Sequence, residues 1–140
     1  MCRALILAVL FAGLMHTAAA ESPASFEWSK EKFDLVATGD AQLGKKAAKK
    51  FKCKKCHNKD GISDDEDIPS IAGQRATYLY KQLHDFKVGV REDDDMQKAT
   101  RKMNEEDMVH VSAWFASLER PAMVGGDPLL QVKVCDSCHD

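Results

Sequence analysis

Two pentapeptides gather the residue types most able to do chemistry: Cys53-Lys54-Lys55-Cys56-His57 and Cys135-Asp136-Ser137-Cys138-His139. Two thiols at this spacing can close a disulfide, cycle as a dithiol, bind zinc, or add to the two vinyl groups of a haem. A histidine directly after the second thiol favours the last of these, because C-x-x-C-H is the attachment signature of c-type haem. The thioethers fix the macrocycle, and the histidine then lies under the iron as its proximal ligand. A zinc site built from Cys53, Cys56, Cys135 and Cys138 leaves both histidines without a role. A thioredoxin-type dithiol should follow a strand in an α/β pattern, whereas Cys53 ends a lysine- and alanine-rich helical stretch. Haem at the first motif is therefore the strong inference, and disulfides or zinc are its rivals.

The start of the chain sets the compartment in which those thiols work. Met1, Cys2 and Arg3 precede an apolar run from Ala4 to Met15, followed by Thr17-Ala18-Ala19-Ala20. The run is shorter than the roughly 20 residues that a membrane-spanning helix needs, and its flanks match a signal peptide, with cleavage after Ala20. Residues 1–20 are therefore set apart from the fold, and the rest is expected to be exported, periplasmic and without a membrane span. Free thiols there tend to oxidise, yet all four remaining cysteines fall within the two motifs. The composition, 44% hydrophobic and 30% charged, excludes a disordered chain, and a net charge of −2 gives no electrostatic case for nucleic acid.

The elements that must position the first motif are helical. Residues 21–38 hold Phe26, Trp28, Phe33 and Leu35 without a clear period, which predicts an irregular or partly helical N-terminal arm. Asp40 is a good N-cap for a helix over about 41–52, rich in Ala and Lys. Residues 59–73 are acidic and turn-rich, with Pro69 and two glycines, and read as a loop. A second helix is expected over about 75–86, stopping near Gly89. Glu92 to Asp95 form an acidic segment with poor helix support. Asn104 caps a third helix, with Glu105, Glu106 and Asp107 complementing its positive end and Pro121 ending it. Three helices with long loops make a thin core, which a buried haem would complete; no strand pattern competes with this all-α fold.

Gly39 to His57, Ile68 to Gln74, Tyr78-Leu79, Lys81-Gln82-Leu83, Phe86-Lys87, Gly89-Val90-Arg91 and Asp107 to Leu118 together resemble a class I cytochrome c domain, in the cytochrome c4 and c553 group. The resemblance covers residues 39 to about 120 and sets the domain at 39–121. It implies a fold of three main helices and long loops around haem c, with His57 and a methionine as axial ligands. Met96 suits the ligand loop, Met103 suits the apolar position before the last helix, and Met108 is an outside candidate. The resemblance further implies that the Pro69 carbonyl accepts the other N–H of His57. It also implies that Gly44 packs on Trp114 or Phe115, and that Arg91 pairs with a haem propionate.

Residues 122–140 form a Gly-Gly-Asp-Pro linker and the second motif, where Cys135, Cys138 and His139 are candidates for a second haem. Nothing after His139 except Asp140 is given to wrap it, so its distal ligand would come from His84, His110 or a partner chain. The function expected is one-electron transport between periplasmic or membrane-bound redox proteins, without catalysis. The alternatives are a haem subunit of a larger dehydrogenase, such as a flavocytochrome that oxidises sulfide, and a ligand sensor using an open second haem. Lys45, Lys46, Lys49, Lys50, Lys52, Lys54, Lys55 and Lys59 cluster around the first motif, while acids cluster at 60–67 and 92–95. Such a charge distribution can orient a charged redox partner.

Overall fold

The computed structural model describes residues 26–120. The signal-peptide pattern, the Gly-Gly-Asp-Pro linker and the second motif lie outside the described residues. Five α-helices run in the order α1 Lys30–Ala37, α2 Ala41–Lys50, α3 Ala76–Val88, α4 Asp94–Thr100 and α5 Glu105–Ala116, with a 3₁₀ turn at Cys53–Lys55 between α2 and α3. Among the described residues there is no strand. No described helix is long and apolar enough to cross a membrane.

Local chemistry sets the ends of the three longer helices. The Asp40 carboxylate accepts the N–H groups of Gln42 at 2.6 Å and Leu43 at 2.9 Å, which starts α2. Asn104 and Asp107 form a reciprocal capping box at the start of α5, their side chains accepting each other's backbone N–H at 2.7 and 3.2 Å. Gly89, at φ 80°, ends α3 in the left-handed conformation that costs glycine little.

The helices α2 and α5 cross at Gly44, and their backbones meet there. A Cβ at Gly44 would lie 1.9 Å from the His110 carbonyl oxygen and 2.7 Å from Trp114 Cβ. The aromatic residue over Gly44 is thus Trp114, while Phe115 points into the core at 2% exposure. Ala48, Leu79, Tyr80, Met108 and Val109 join Phe115 in that core.

Two segments differ from the sequence expectation. The acidic run is not a loop: Asp93 caps α4, which starts at Asp94. The arm is also more ordered than its aperiodic sequence suggests, since α1 follows a Ser29 cap. Phe26 lies 4.8 Å from the His84 ring and 6.0 Å from that of Tyr80, and Trp28 stacks on Phe33 at 4.5 Å. These contacts lay the arm over α3, so its aromatics are placed by tertiary packing rather than by helical periodicity.

Tyr80 ties α3 to α5, its hydroxyl donating to Glu105 Oε1 at 2.8 Å. Burial and that carboxylate push the phenol pKa above its ordinary value. The folded state therefore holds the Tyr80 proton more tightly than the unfolded chain does. This contribution to stability is intact below pH ~10 and is lost as pH rises above it. Tyr80→Phe should lower stability near neutral pH by about 1 kcal/mol and flatten the alkaline fall, as checked by urea unfolding between pH 7 and 11.

Candidate functional site

The first motif is delivered by the abrupt end of α2. After Phe51 the chain turns at Lys52, whose φ of 62° is left-handed, and enters the 3₁₀ turn. Within the turn the His57 N–H donates to the Cys53 carbonyl at 3.1 Å. Three reactive side chains, Cys53, Cys56 and His57, consequently border one cleft of about 370 Å³. Cys56 is exposed and Cys53 is half-buried. Burial pushes the Cys53 thiol up to about 11, so it is protonated at neutral pH.

His57 is 7% exposed, and its Nδ1 lies 3.0 Å from the Pro69 carbonyl oxygen. A carbonyl only accepts, so Nδ1 carries the proton and donates it, leaving the Nε2 lone pair free. Desolvation lowers the His57 pKa, against the opposing pull of the Pro69 hydrogen bond. The ring is neutral at pH 7, the state a metal ligand requires. This fixing of the second ring nitrogen is the arrangement that orients ligating histidines elsewhere.

The remaining walls come from the loop at Pro69 and from α3, α4 and α5. Leu83, Phe86, Val111 and Phe115 make the cleft apolar. Met96 and Met103 both border it, and Met108 does not. Met103 is 2% exposed and belongs to the packed core, whereas Met96 is only partly buried and sits against that core from α4. Arg91 is on the cleft wall, bonded through its guanidinium to Gln82 Oε1 and stacked 4.6 Å from the Phe86 ring centre.

Neither His84 nor His110 borders the cleft. His110 Nδ1 accepts the Asp40 N–H at 3.0 Å, which joins the start of α2 to α5, and Glu106 faces Nε2 at 3.5 Å. His84 packs edge-on against Phe26 and faces Asp85 at 3.7 Å. Of the lysine cluster only Lys52 reaches the cleft wall, where Asp67, Asp93 and Asp95 also lie.

The residues present fit a c-type haem. Two thiols, a neutral imidazole and two thioethers border one apolar cleft, and so does the fully buried Ser112, whose hydroxyl has no hydrogen-bond partner among the described residues. Among the described residues there is no group of three or more His, Cys, Asp or Glu side chains able to hold a metal ion by themselves. Helical spacing puts Ser112 on one face of the last helix with Met108, Val111 and Phe115 but gives it no role, and sequence reasoning missed Thr100 and Asp93. The Thr100 hydroxyl carries no local signal, but Asp93 followed by Asp94 and Asp95 is the usual acidic start of a helix.

Comparison with known proteins agrees with this geometry. The Cytochrome c family model matches residues 41–119. The chain is 33% identical over 117 residues to cytochrome c4 of Pseudomonas aeruginosa, covering 74% of this chain and 57% of that protein. It is 30% identical over 84 residues to cytochrome c-554(548) of Halomonas halodenitrificans, covering 58% of this chain and 99% of the relative. A crystal structure of reduced recombinant cytochrome c4 from Pseudomonas stutzeri superposes with a TM-score of 0.51 at 29% identity, covering 58% of this chain and 50% of that one. The chain spans about half the length of the cytochrome c4 relatives it matches. With a matched domain and a cleft bordered by the two thiols and the histidine of one motif, the chain belongs to the cytochrome c family, as a class I c-type cytochrome with covalently bound haem c.

Proposed function

We propose that the chain is a periplasmic one-electron carrier whose haem is held by thioethers from Cys53 and Cys56 and ligated by His57 Nε2 and Met96 Sδ. The observation that carries this reading is the His57–Pro69 hydrogen bond of 3.0 Å, which leaves Nε2 as the free nitrogen in a cleft that Met96 also borders. Haem supplies the Fe(II)/Fe(III) couple, and His/Met ligation raises its potential relative to two histidines.

The chain's own groups hold the couple and shield it. His57 keeps one orientation through Pro69, and the apolar walls exclude water from the ligands. With both axial positions of this haem filled by side chains no position on it would be open for substrate, as a carrier requires; the sensor alternative concerns the second motif, outside the described residues. The exposure of Cys56 supports electron entry and exit at that edge of the cleft, toward periplasmic or membrane-bound redox proteins. Export rests on the signal-peptide pattern of residues 1–20. Arg91, on the cleft wall, would serve as a propionate partner.

The test compares Met96→Ala with Met103→Ala in matured protein. Met96→Ala should abolish the weak red-end absorption band of ferric iron bonded to methionine while the covalent haem remains. Met103→Ala should keep the band and lose about 2–5 kcal/mol of stability, as expected for a truncated core methionine. Survival of the band in Met96→Ala would overturn the assignment.

A further inference from the structure

Met96 lies in the first turn of α4, and side chains from both ends of that helix grip its peptide groups. Its N–H donates to Asp93 Oδ1 at 2.8 Å, and its carbonyl accepts the Thr100 hydroxyl at 2.8 Å. Thr100 is 0% exposed, borders the same cleft, and its carbonyl in turn accepts the Met103 N–H at 2.9 Å. The helix is only 7 residues long, too short to hold its shape by backbone hydrogen bonding alone. The position of Met96 is thus set by these side-chain contacts and by packing on α3.

We propose that Asp93 and Thr100 are positioning residues that clamp Met96 on its iron. The proposal rests on the reading of Met96 as axial ligand. A thioether is a weak donor, so it stays bound only while its backbone is held where Sδ meets the metal. Asp93 fixes the start of the turn and Thr100 fixes its carbonyl side. The Thr100 hydroxyl reaches Met96 from within the buried wall of the cleft, where water cannot replace it. Loosening either contact leaves haem attachment at Cys53 and Cys56 untouched and makes the methionine easier to displace.

The test titrates the ferric, matured full chain with imidazole and follows loss of the iron–methionine band. Asp93→Ala and Thr100→Val should each bind imidazole about tenfold more tightly than the unsubstituted protein, the size expected when a capping contact is lost. Asp93→Asn and Thr100→Ser keep a cap acceptor and a hydroxyl and should restore most of the resistance. Ser29→Ala removes the remote cap of α1, where Ser29 Oγ accepts the Lys32 N–H at 3.3 Å, and should leave imidazole binding unchanged. Equal imidazole affinity in Asp93→Ala, Thr100→Val and the unsubstituted protein overturns the clamp. Met96→Ala separates the two claims: if that variant keeps the band, the ligand assignment fails and the clamp fails with it. If it loses the band while the clamp variants bind imidazole normally, the clamp alone fails.

Discussion

Cys53→Ser combined with Cys56→Ser is expected to yield an exported chain that lacks the haem of the first motif and does not hold its fold. The reason lies in the cleft walls. Phe51, Ile68, Ile71 and Met96 border it and are only half-buried by protein, and Tyr78 on the same wall is 48% exposed; full burial of such apolar side chains contributes up to about 1.5–3 kcal/mol each. A domain of this size has a net stability of only about 5–15 kcal/mol. Leaving several of these walls without a packing partner is therefore enough to unfold it. The measurement is the intact mass, which should fall by one haem, followed by far-ultraviolet circular dichroism, which should show lost helix. A variant with full helix content and unchanged electron exchange would contradict the account.

Gly44→Ala should be the most damaging single-methyl addition in the domain. Helix propensity alone predicts a gain of about 1 kcal/mol when alanine replaces glycine in a helix. Here the added carbon would sit 1.9 Å from the His110 carbonyl oxygen, and a backbone atom cannot swing aside as a side chain can. Relief requires α2 and α5 to separate, which also strains the Asp40 contact to His110 at 3.0 Å. Overpacking typically costs about 1–3 kcal/mol and sometimes more. With backbone as the obstacle, a net loss of about 2–4 kcal/mol is expected. Gly89→Ala is the informative contrast, because the nearest atom to its Cβ is 3.9 Å away and only the φ of 80° penalises it. It should cost about 1 kcal/mol. Urea unfolding of the matured proteins checks both, and a Gly44→Ala midpoint at or above that of the unsubstituted protein would show that the helices do not meet as described.

What was legible in the sequence was whatever rested on local chemistry. Asp40, Asn104 with Asp107, and Gly89 mark helix ends through contacts made within a few residues, so α2, α3 and α5 were expected close to where they lie. The Cys53-x-x-Cys56-His57 spacing is likewise dictated by the macrocycle it attaches. The α4 helix was missed because a stretch of acids reads as loop until Asp93 is recognised as its cap and Thr100 as its buried anchor. Phe26 and Trp28 were aperiodic because they answer to Tyr80 and His84, far along the chain. The partner of Gly44 was open between Trp114 and Phe115 since both sit on α5, and only the crossing of two helices decides which faces the glycine. The charge pattern was visible in sequence. The cleft wall, however, draws only Lys52 from the lysine cluster, together with three aspartates.

The central claim is that haem c is attached at Cys53 and Cys56 with His57 beneath it. Its most direct test is mass spectrometry of proteolytic peptides from the protein exported by a host with working cytochrome maturation. The account predicts that the peptide containing Cys53 to His57 carries one haem through two thioethers, in a protein whose chain begins at Glu21. A Cys53–Cys56 peptide recovered without haem, with its thiols free, oxidised to a disulfide or bound to zinc, would contradict it.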